Sequence, residues 1–180
     1  MLKVEKSIAG CFEVLLPNHR DNRGSFTKIF TKEFFCDLGL DFQIREQYVT
    51  QSKKNVVRGL HLQLPPYDHH KMVFCLSGEA VDVALDLRRG SPSFMQIIKV
   101  NLDASIPKIL FLPSGVAHGF CTPKTSCSLL YNVSSLHVPS HDTGVRWDSI
   151  DFNWPVTNPI ISHRDRDLPT ISEFKTPFHF

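Results

Sequence analysis

A short stretch in the first half of the chain collects side chains that could bind an anion and move a proton. Arg58-Gly-Leu-His61-Leu-Gln63 is followed eight residues later by Lys71, so a guanidinium, an imidazole, an amide and an ammonium group fall within fourteen residues. A guanidinium suits phosphate recognition, and a histidine can act as a base near neutral pH. Apolar residues follow Lys71 directly, so its ammonium group must reach the surface, pair with an acidic group or take part in chemistry.

The alternation of side chains along a strand decides which of these groups can face one site. Period two puts Gly59, His61 and Gln63 on one face of the predicted strand. Arg58 has the opposite parity. Either Gly59 introduces a bulge that redirects the strand, or Arg58 serves a different surface from His61. The sequence leaves both alternatives open.

A second polar cluster lies at Pro113-Ser-Gly-Val-Ala-His118-Gly-Phe120. Its proline and first glycine predict a tight turn into a strand, where small neighbours leave room beside the ring of His118. Two histidines on different strands raise the alternative of a metal site, which needs three or four His, Cys or carboxylate ligands. The first strand offers only His-x-Gln, Lys71 stands where a third ligand would come, and His69-His70 lies in a loop where adjacent side chains diverge. We therefore expect no metal.

The elements that must position these residues are mostly strands. From residue 44 onwards, extended segments alternate with Gly, Pro, Asn and Asp. The predicted strands span 44–50, 56–63, 71–76, 79–87, 94–100, 108–112 and 127–133. Before them, a run at 12–17 ends in a turn over 18–24, and 25–30 is again extended. Seven short strands predict a sandwich or barrel.

One helix is predicted, over 31–39. Thr31 can cap its N-terminus, and Gly39 can supply the left-handed residue that ends it. After residue 134, prolines at 139, 155, 159, 169 and 177 exclude long helices and central strands, so this part is expected to wrap the body as loops.

The segment 79–87 has the clearest alternation in the chain. Its odd positions from 81 to 87 are Val or Leu, and its even face carries Asp82 and Asp86. We expect the apolar face to pack in the core. Because charged side chains usually stay exposed, we expect Asp82 and Asp86 to be solvated and to pair with neighbouring cations.

Composition bounds the class of protein. The 180 residues, 42% hydrophobic and 21% charged, fit one globular domain over 1–180, with a core at about 12–135 and a wrapping segment at 136–180. No apolar run is long enough for a membrane helix and no signal peptide is evident, so a cytoplasmic protein is expected. Five cysteines without a Cys-x-x-Cys pair indicate reduced thiols. A net charge of +2 without a basic tract suits a small anionic ligand and no nucleic acid.

Spaced motifs run through almost the whole chain, roughly from residue 12 to 170. In order they are Asp21-Asn-Arg-Gly-Ser-Phe26, Arg58-Gly-Leu-His-Leu-Gln63, Lys71-Met-Val73, Gly78-Glu-Ala-Val-Asp-Val-Ala-Leu-Asp-Leu-Arg88, Ser91-Pro-Ser-Phe94, Pro113-Ser-Gly-Val-Ala-His-Gly-Phe120, Trp154-Pro155 and Ile161-Ser-His-Arg-Asp165. Together they resemble the dTDP-4-dehydrorhamnose 3,5-epimerase family. The resemblance implies an all-β, cupin-type jelly-roll barrel with a few short helices and a loop-rich C-terminal extension. It also implies a homodimer that exchanges N-terminal segments, and a reaction without cofactor on nucleoside-diphosphate 4-keto-6-deoxyhexoses.

The resemblance implies a role for each matching residue. His61 corresponds to the general base, oriented by Asp165. Lys71 would stabilise negative charge on the O4 oxygen, and Tyr131 corresponds to the general acid on the opposite face of the sugar.

Further residues correspond to the binding surface. Arg58 and Arg23 match cations that hold the diphosphate, and Phe26 would stack on a base or sugar across the dimer. Gln63 and His118 fit pocket hydrogen bonds.

Some positions depart from the family pattern. Lys28 stands where an acidic residue is common, Glu46 and Tyr48 alter a Gln-x-Asn pattern, and Leu136-His137 replaces an aromatic pair. These positions, Glu46 and Tyr48 among them, are expected to line the substrate, so the nucleobase, the size of the sugar and the number of inverted centres stay open.

The sequence therefore predicts an epimerase that inverts C3, C5 or both in a nucleotide-linked 4-keto sugar, within deoxysugar biosynthesis for a lipopolysaccharide or capsule. The alternatives are a mono-epimerase on a dTDP-, CDP- or GDP-linked sugar and a keto-sugar isomerase on the same fold. A metal-dependent cupin and a non-catalytic sugar-nucleotide binding module are more distant alternatives.

Overall fold

Two antiparallel sheets packed face to face form the body of the protein. The computed structural model describes residues 2–40 and 42–180. The strands in chain order are β1 (Leu2–Glu5), β2 (Phe12–Leu15), β3 (Asn18–Asp21), β4 (Gly24–Thr27), β5 (Glu46–Ser52), β6 (Val57–Gln63), β7 (Lys71–Ser77), β8 (Glu79–Asp86), β9 (Ile97–Asp103), β10 (Lys108–Leu112), β11 (Val116–Cys121), β12 (Cys127–Val133) and β13 (Asp142–Gly144). The helices are α1 (Lys32–Asp37) and α2 (His163–Arg166), and a 3₁₀ turn covers Trp147–Ser149. The predicted all-β jelly roll is confirmed.

The order of the strands brings the predicted site residues onto facing sheets. One sheet runs β1-β2-β10-β7-β12-β5 and the other β13-β6-β11-β8-β9, while β3 and β4 form a separate hairpin. The strands that carry Lys71 and Tyr131 are neighbours in the first sheet, and those that carry His61 and His118 are neighbours in the second. A pocket between the sheets can therefore receive side chains from both.

Apolar side chains are buried in layers on both sides of the second sheet. Between the sheets, Val73 and Leu129 of the first sheet pack with Ala84 of the second. On the outer face of the second sheet, Leu85 packs beneath Trp154 in the C-terminal part of the chain. The C-terminal segment thus covers a sheet face that would otherwise expose a large apolar surface to water.

This covering overturns the expectation for the acidic face of the 79–87 strand. The Val and Leu face packs outwards under the C-terminal segment, and the acidic face points between the sheets, where Asp82 and Asp86 are fully buried. Each carboxylate is paired: Asp82 with His118 at 2.8 Å, and Asp86 with Arg88 at 2.8 Å. The prediction that both aspartates are solvated was wrong, because the sequence did not reveal that both sheet faces are covered.

The first helix follows the sequence signals closely. The hydroxyl of Thr31 accepts a hydrogen bond from the backbone N–H of Phe34 at 3.2 Å, as predicted for an N-cap. Gly39 has a φ of +72°, which permits the chain to turn away after the helix. Phe35 anchors the helix on the outer face of the first sheet, so the helix is a surface element packed on sheet.

Three predicted boundaries needed correction. The strand predicted at 44–50 is observed at Glu46–Ser52. The strand predicted at 94–100 is observed at Ile97–Asp103, because residues 91–95 form a turn in which Met95 has a φ of +66°. The backbone N–H of Met95 donates to Asp86 O at 2.8 Å, which closes this turn before the strand begins. The turn predicted over 18–24 contains strand β3, which pairs with β4 as a hairpin.

Candidate active site

A pocket of about 320 Å³ opens between the sheets. Its lining includes side chains from both sheets and from the C-terminal segment. Of the residues predicted from the sequence, it brings together Glu46, Tyr48, Arg58, His61, Gln63, Lys71, His118 and Tyr131, with Asp165 directly behind His61.

A bulge at Gly59 explains how Arg58 and His61 share this pocket. In the register of β6 against β11, Arg58 lies opposite Phe120 and His61 opposite His118, so two residues of β6 face one of β11. Gly59 has a φ of +114°, and a Cβ there would come within 2.6 Å of the Cα of Gly119. The bulge changes the parity of the strand, and both side chains line one pocket. Of the two alternatives left open above, the structure shows the first.

His61 and Asp165 form a hydrogen-bonded pair. His61 Nε2 lies 2.7 Å from Asp165 Oδ1, and the other carboxylate oxygen accepts a hydrogen bond from Gly59 N at 3.0 Å. Because a carboxylate only accepts, the ring proton is on Nε2 and Nδ1 is left to accept a proton. Burial lowers the pKa of His61, although Asp165 opposes this effect. His61 is therefore set up as a neutral base.

Asp165 is held in place by its own short helix. The Ser162 hydroxyl accepts a hydrogen bond from Asp165 N at 3.1 Å and so caps α2. Burial alone would raise the pKa of Asp165, but hydrogen bonds from His61, Gly59 and Ser162 hold it below its usual value. A carboxylate fixed behind the ring can orient His61 and stabilise the imidazolium that forms when the base is protonated.

Lys71 is a buried ammonium group on the facing sheet. Its side chain is only 6% exposed, and Nζ donates a hydrogen bond to the backbone carbonyl of His61 at 2.9 Å. Burial lowers its pKa to about 8, against the opposing attraction of Asp142 and Asp82. Lys71 is thus positively charged at neutral pH and lies close to the base, where negative charge can develop on a substrate.

Tyr131 provides a protonated phenol on the same pocket wall. Its ring stacks on Tyr48 with centroids 4.8 Å apart and meets the edge of His118 at 5.7 Å. Burial, reinforced by the negative charge of Asp82, raises the pKa of Tyr131 well above its ordinary value. Burial also raises the pKa of Tyr48 to about 12. Tyr131 therefore holds its proton until a strong base, such as an enolate, takes it.

Two predicted pocket residues, His118 and Gln63, form most of their hydrogen bonds with other residues of the protein. His118 Nε2 lies 2.8 Å from both carboxylate oxygens of Asp82. The amide of Gln63 donates to the carbonyls of Tyr67 and Leu136, and its oxygen accepts from Val138 N at 2.6 Å. Gln63 thereby ties the loops before β7 and after β12 to the edge of the pocket.

The structure adds two pocket residues that sequence reasoning missed, Asp142 and Arg164. Asp142 pairs with Arg164 at 2.8 Å and with His137, one of the positions expected to line the substrate, at 3.0 Å, and all three line the pocket. Arg164 lies inside the motif 161–165, which was a usable signal, whereas Asp142 stood in a stretch predicted as loop. Asp82, missed as the partner of His118, was predicted to be solvated.

One further polar atom in the pocket has no protein partner. His69 Nε2 is buried and makes no hydrogen bond to any residue that the structure describes. His69 lines the pocket. Buried polar groups are nearly always satisfied, so this nitrogen is available to a polar ligand.

Arg23 and Phe26 lie elsewhere in the described chain. Both belong to the β3–β4 hairpin region and do not line the pocket. The Arg23 side chain is 91% exposed and pairs with Asp21 at 2.5 Å, and Phe26 is 61% exposed. A single chain thus leaves these two predicted binding residues outside the site.

Residues 2–40 and 42–180 contain no group of three or more His, Cys, Asp or Glu side chains arranged to hold a metal ion. No helix within these ranges is both long and apolar enough to cross a membrane.

An imidazole, an ammonium group and a phenol around one pocket of a jelly roll are suited to proton transfer, and comparison with known proteins identifies the family. The family model for dTDP-4-dehydrorhamnose 3,5-epimerase matches residues 5–173. The chain is 37% identical over 148 residues to the enzyme of that name from Shigella flexneri, covering 81% of this chain and 82% of the relative. The chain belongs to the dTDP-4-dehydrorhamnose 3,5-epimerase family and is an isomerase, which confirms the resemblance found in the sequence.

Solved structures agree with this assignment. A dTDP-4-dehydrorhamnose 3,5-epimerase from Bacillus anthracis, with TDP and PPi bound, superposes with a TM-score of 0.91 at 33% identity, covering 94% of this chain and 99% of that one. A dTDP-6-deoxy-D-glucose-3,5-epimerase from Legionella pneumophila, in complex with dTDP-4-keto-L-rhamnose, gives a TM-score of 0.91 at 25% identity, with 97% and 94% covered.

Proposed function

We propose that this epimerase inverts C3 and C5 of a dTDP-linked 4-keto-6-deoxyhexose by removing and returning protons through an enolate. The observation that carries the proposal is the His61–Asp165 pair facing Lys71 and Tyr131 in one pocket. The ligands named for the Bacillus and Legionella structures support a thymidine nucleotide and a 4-keto sugar.

The chemistry follows from the ketone. A 4-keto group acidifies the hydrogens on C3 and C5, so His61 Nδ1 can take one as a proton. The electron pair of the broken C–H bond forms a C=C bond and moves the carbonyl electrons onto O4, where the Lys71 ammonium stabilises the enolate. Tyr131 then gives its proton to the opposite face of the carbon, which inverts the centre. Exchange with solvent restores neutral His61 and protonated Tyr131.

Arg58 is the proposed anchor for the diphosphate. Its Nε donates to Ser52 Oγ at 2.9 Å and an Nη to Gln51 O at 3.2 Å, which fixes the guanidinium at one end of the pocket. A fixed guanidinium fork suits phosphate oxygens. The sugar would then extend from Arg58 towards His61.

The exposed β3–β4 hairpin supports the homodimer as part of this proposal. Arg23 and Phe26 are exposed on a single chain, and an exposed arginine and phenylalanine suit a diphosphate and a nucleobase. We propose that the hairpin of one subunit places them at the pocket of the other, in a cytoplasmic enzyme.

The function is tested by incubating the protein in D2O with dTDP-, CDP- and GDP-linked 4-keto-6-deoxyhexoses. Deuterium is expected at C3 and C5 of the dTDP sugar, detected by NMR, together with the inverted product. A ketone that moved away from C4 would instead indicate a keto-sugar isomerase. No exchange with any of the three nucleotides would contradict the proposal.

Removal of the Tyr131 hydroxyl, the proposed acid, should affect inversion of the sugar carbon more than deuterium exchange. For Tyr131→Phe we expect deuterium exchange to persist while net inversion falls by about 10²-fold or more, because the base remains and the opposite-face proton donor is lost. NMR of the product mixture measures both quantities in one sample. Tyr67→Phe is the control, because Tyr67 lies outside the pocket lining. Equal losses of exchange and inversion in Tyr131→Phe would contradict the assigned role.

A further inference from the structure

His69 lines the active-site pocket and has one ring nitrogen without a partner. Its Nε2 is buried and makes no hydrogen bond to any residue in the described ranges. The sequence interpretation gave this histidine no role beyond excluding a metal site. Its neighbour His70 is accounted for, because His70 Nδ1 accepts from Ser114 N at 3.1 Å and its ring stacks on Phe111.

The other ring nitrogen of His69 lies among neighbouring polar groups. Gln63 Oε1 accepts from Val138 N at 2.6 Å, so the amide NH2 group faces the other way, where it donates to the carbonyls of Tyr67 and Leu136 and lies 3.1 Å from His69 Nδ1. The Ser135 hydroxyl oxygen lies 3.3 Å from the same ring nitrogen. These contacts orient the ring and leave Nε2 as the atom without a partner.

The ring of His69 also stays neutral. Burial lowers its pKa to about 3, and the nearby charge of Lys71 lowers it further in the same direction. A neutral imidazole has one nitrogen that donates and one that accepts, so Nε2 can form a hydrogen bond with a hydroxyl group in either tautomer. The ring is neither a base nor a pH switch.

The position of His69 indicates which part of a ligand it meets. Along β6, Arg58 and Gln63 are five positions apart, roughly 16 Å in a strand, with His61 between them. His69 contacts Gln63, so it lies towards the end of the pocket opposite Arg58. If Arg58 holds the diphosphate and His61 reaches C3 or C5, His69 faces the edge of the sugar remote from the diphosphate.

We propose that His69 is a substrate-binding residue whose Nε2 forms a hydrogen bond with a hydroxyl group on the remote edge of the sugar, the C3 hydroxyl. The inference rests on the proposed function for the identity of the sugar. Gln63 then has a positioning role, because it holds Nδ1 of His69 and leaves Nε2 pointing into the pocket.

Two variants and one control test the proposal in kinetic terms. His69→Ala removes this hydrogen bond and is expected to lower kcat/KM for the sugar nucleotide about 10- to 100-fold, as loss of one hydrogen bond to a substrate does. His69→Gln keeps a side chain that can donate or accept and should recover part of this loss. The affinity for dTDP, which lacks the sugar, should be the same in all variants. His179→Ala, an exposed histidine outside the pocket, is the control.

A second measurement needs no variant and no turnover. Nitrogen-15 NMR of the wild-type histidine rings should show His69 as neutral. Addition of dTDP-glucose should shift that signal, and addition of dTDP alone should not. An unchanged signal with dTDP-glucose, or wild-type kcat/KM in His69→Ala, would overturn the inference. Failure of the proposed function is distinct, because it would show as no D2O exchange in the wild type while the dTDP-glucose shift remained.

Discussion

Replacement of His61 by asparagine is expected to lower deuterium incorporation at both C3 and C5 by about 10²- to 10⁴-fold, the range for loss of a general base. His61 has a carboxylate behind one ring nitrogen and a free acceptor at the other. Asparagine keeps a hydrogen bond towards Asp165 but cannot accept the proton. Initial exchange rates in D2O, measured by NMR under single-turnover conditions, give the effect directly.

The control for this experiment is another histidine close to Asp165. His163 is exposed, begins α2 and does not line the pocket, so His163→Ala should exchange at the wild-type rate. Binding of dTDP to His61→Asn should be unchanged, which separates loss of the base from loss of the fold. Exchange at C3 or C5 that survived near the wild-type rate in His61→Asn would show that another group is the base.

Much of the fold was predictable because local signals agreed with one another. Thr31 and Gly39 mark the two ends of a helix, and the alternation in 79–87 marks a strand. Sequence reasoning failed where tertiary context decided the outcome. Asp82 and Asp86 follow the pattern of a solvated face, yet the C-terminal segment covers the opposite face and turns the aspartates inwards.

The site was predictable to the extent that its residues lie in motifs. His61, Lys71 and Tyr131 stand on strands whose order in the chain matches the family, and the pocket brings them together. Arg58 and His61 face the same pocket because of the bulge at Gly59. The regular alternation of side chains along a strand does not predict such a bulge. Residues contributed by loops gave weaker signals, because their positions are set by contacts distant in sequence.

Burial between the two sheets is the common cause of the unusual acidities in the site. It lowers the pKa of both His61 and Lys71 and raises that of Tyr131. A neutral base, a cation with a pKa of about 8 and a protonated phenol can therefore coexist near neutral pH. The same enclosure that forms the pocket adjusts each group to its proposed task.

Lys71 should determine how the deuterium exchange rate falls at alkaline pH. His61 must be neutral and its pKa lies below the ordinary 6.5, so exchange should rise with pH through that lower value. Lys71 must be charged, so exchange should fall as pH rises through about 8. Tyr131 cannot account for that fall, since its pKa lies well above 10.

Two substitutions of Lys71 test this assignment. Lys71→Met should lower the exchange rate by about 10²- to 10³-fold, as loss of a group that stabilises an oxyanion does, and should remove the fall near pH 8. Lys71→Arg should also remove that fall, because a guanidinium keeps its charge throughout this range. Lys99→Met, at an exposed position of β9, should leave the profile unchanged. A fall near pH 8 that persisted in Lys71→Met would assign the alkaline limb to a different group and leave the enolate without its proposed cation.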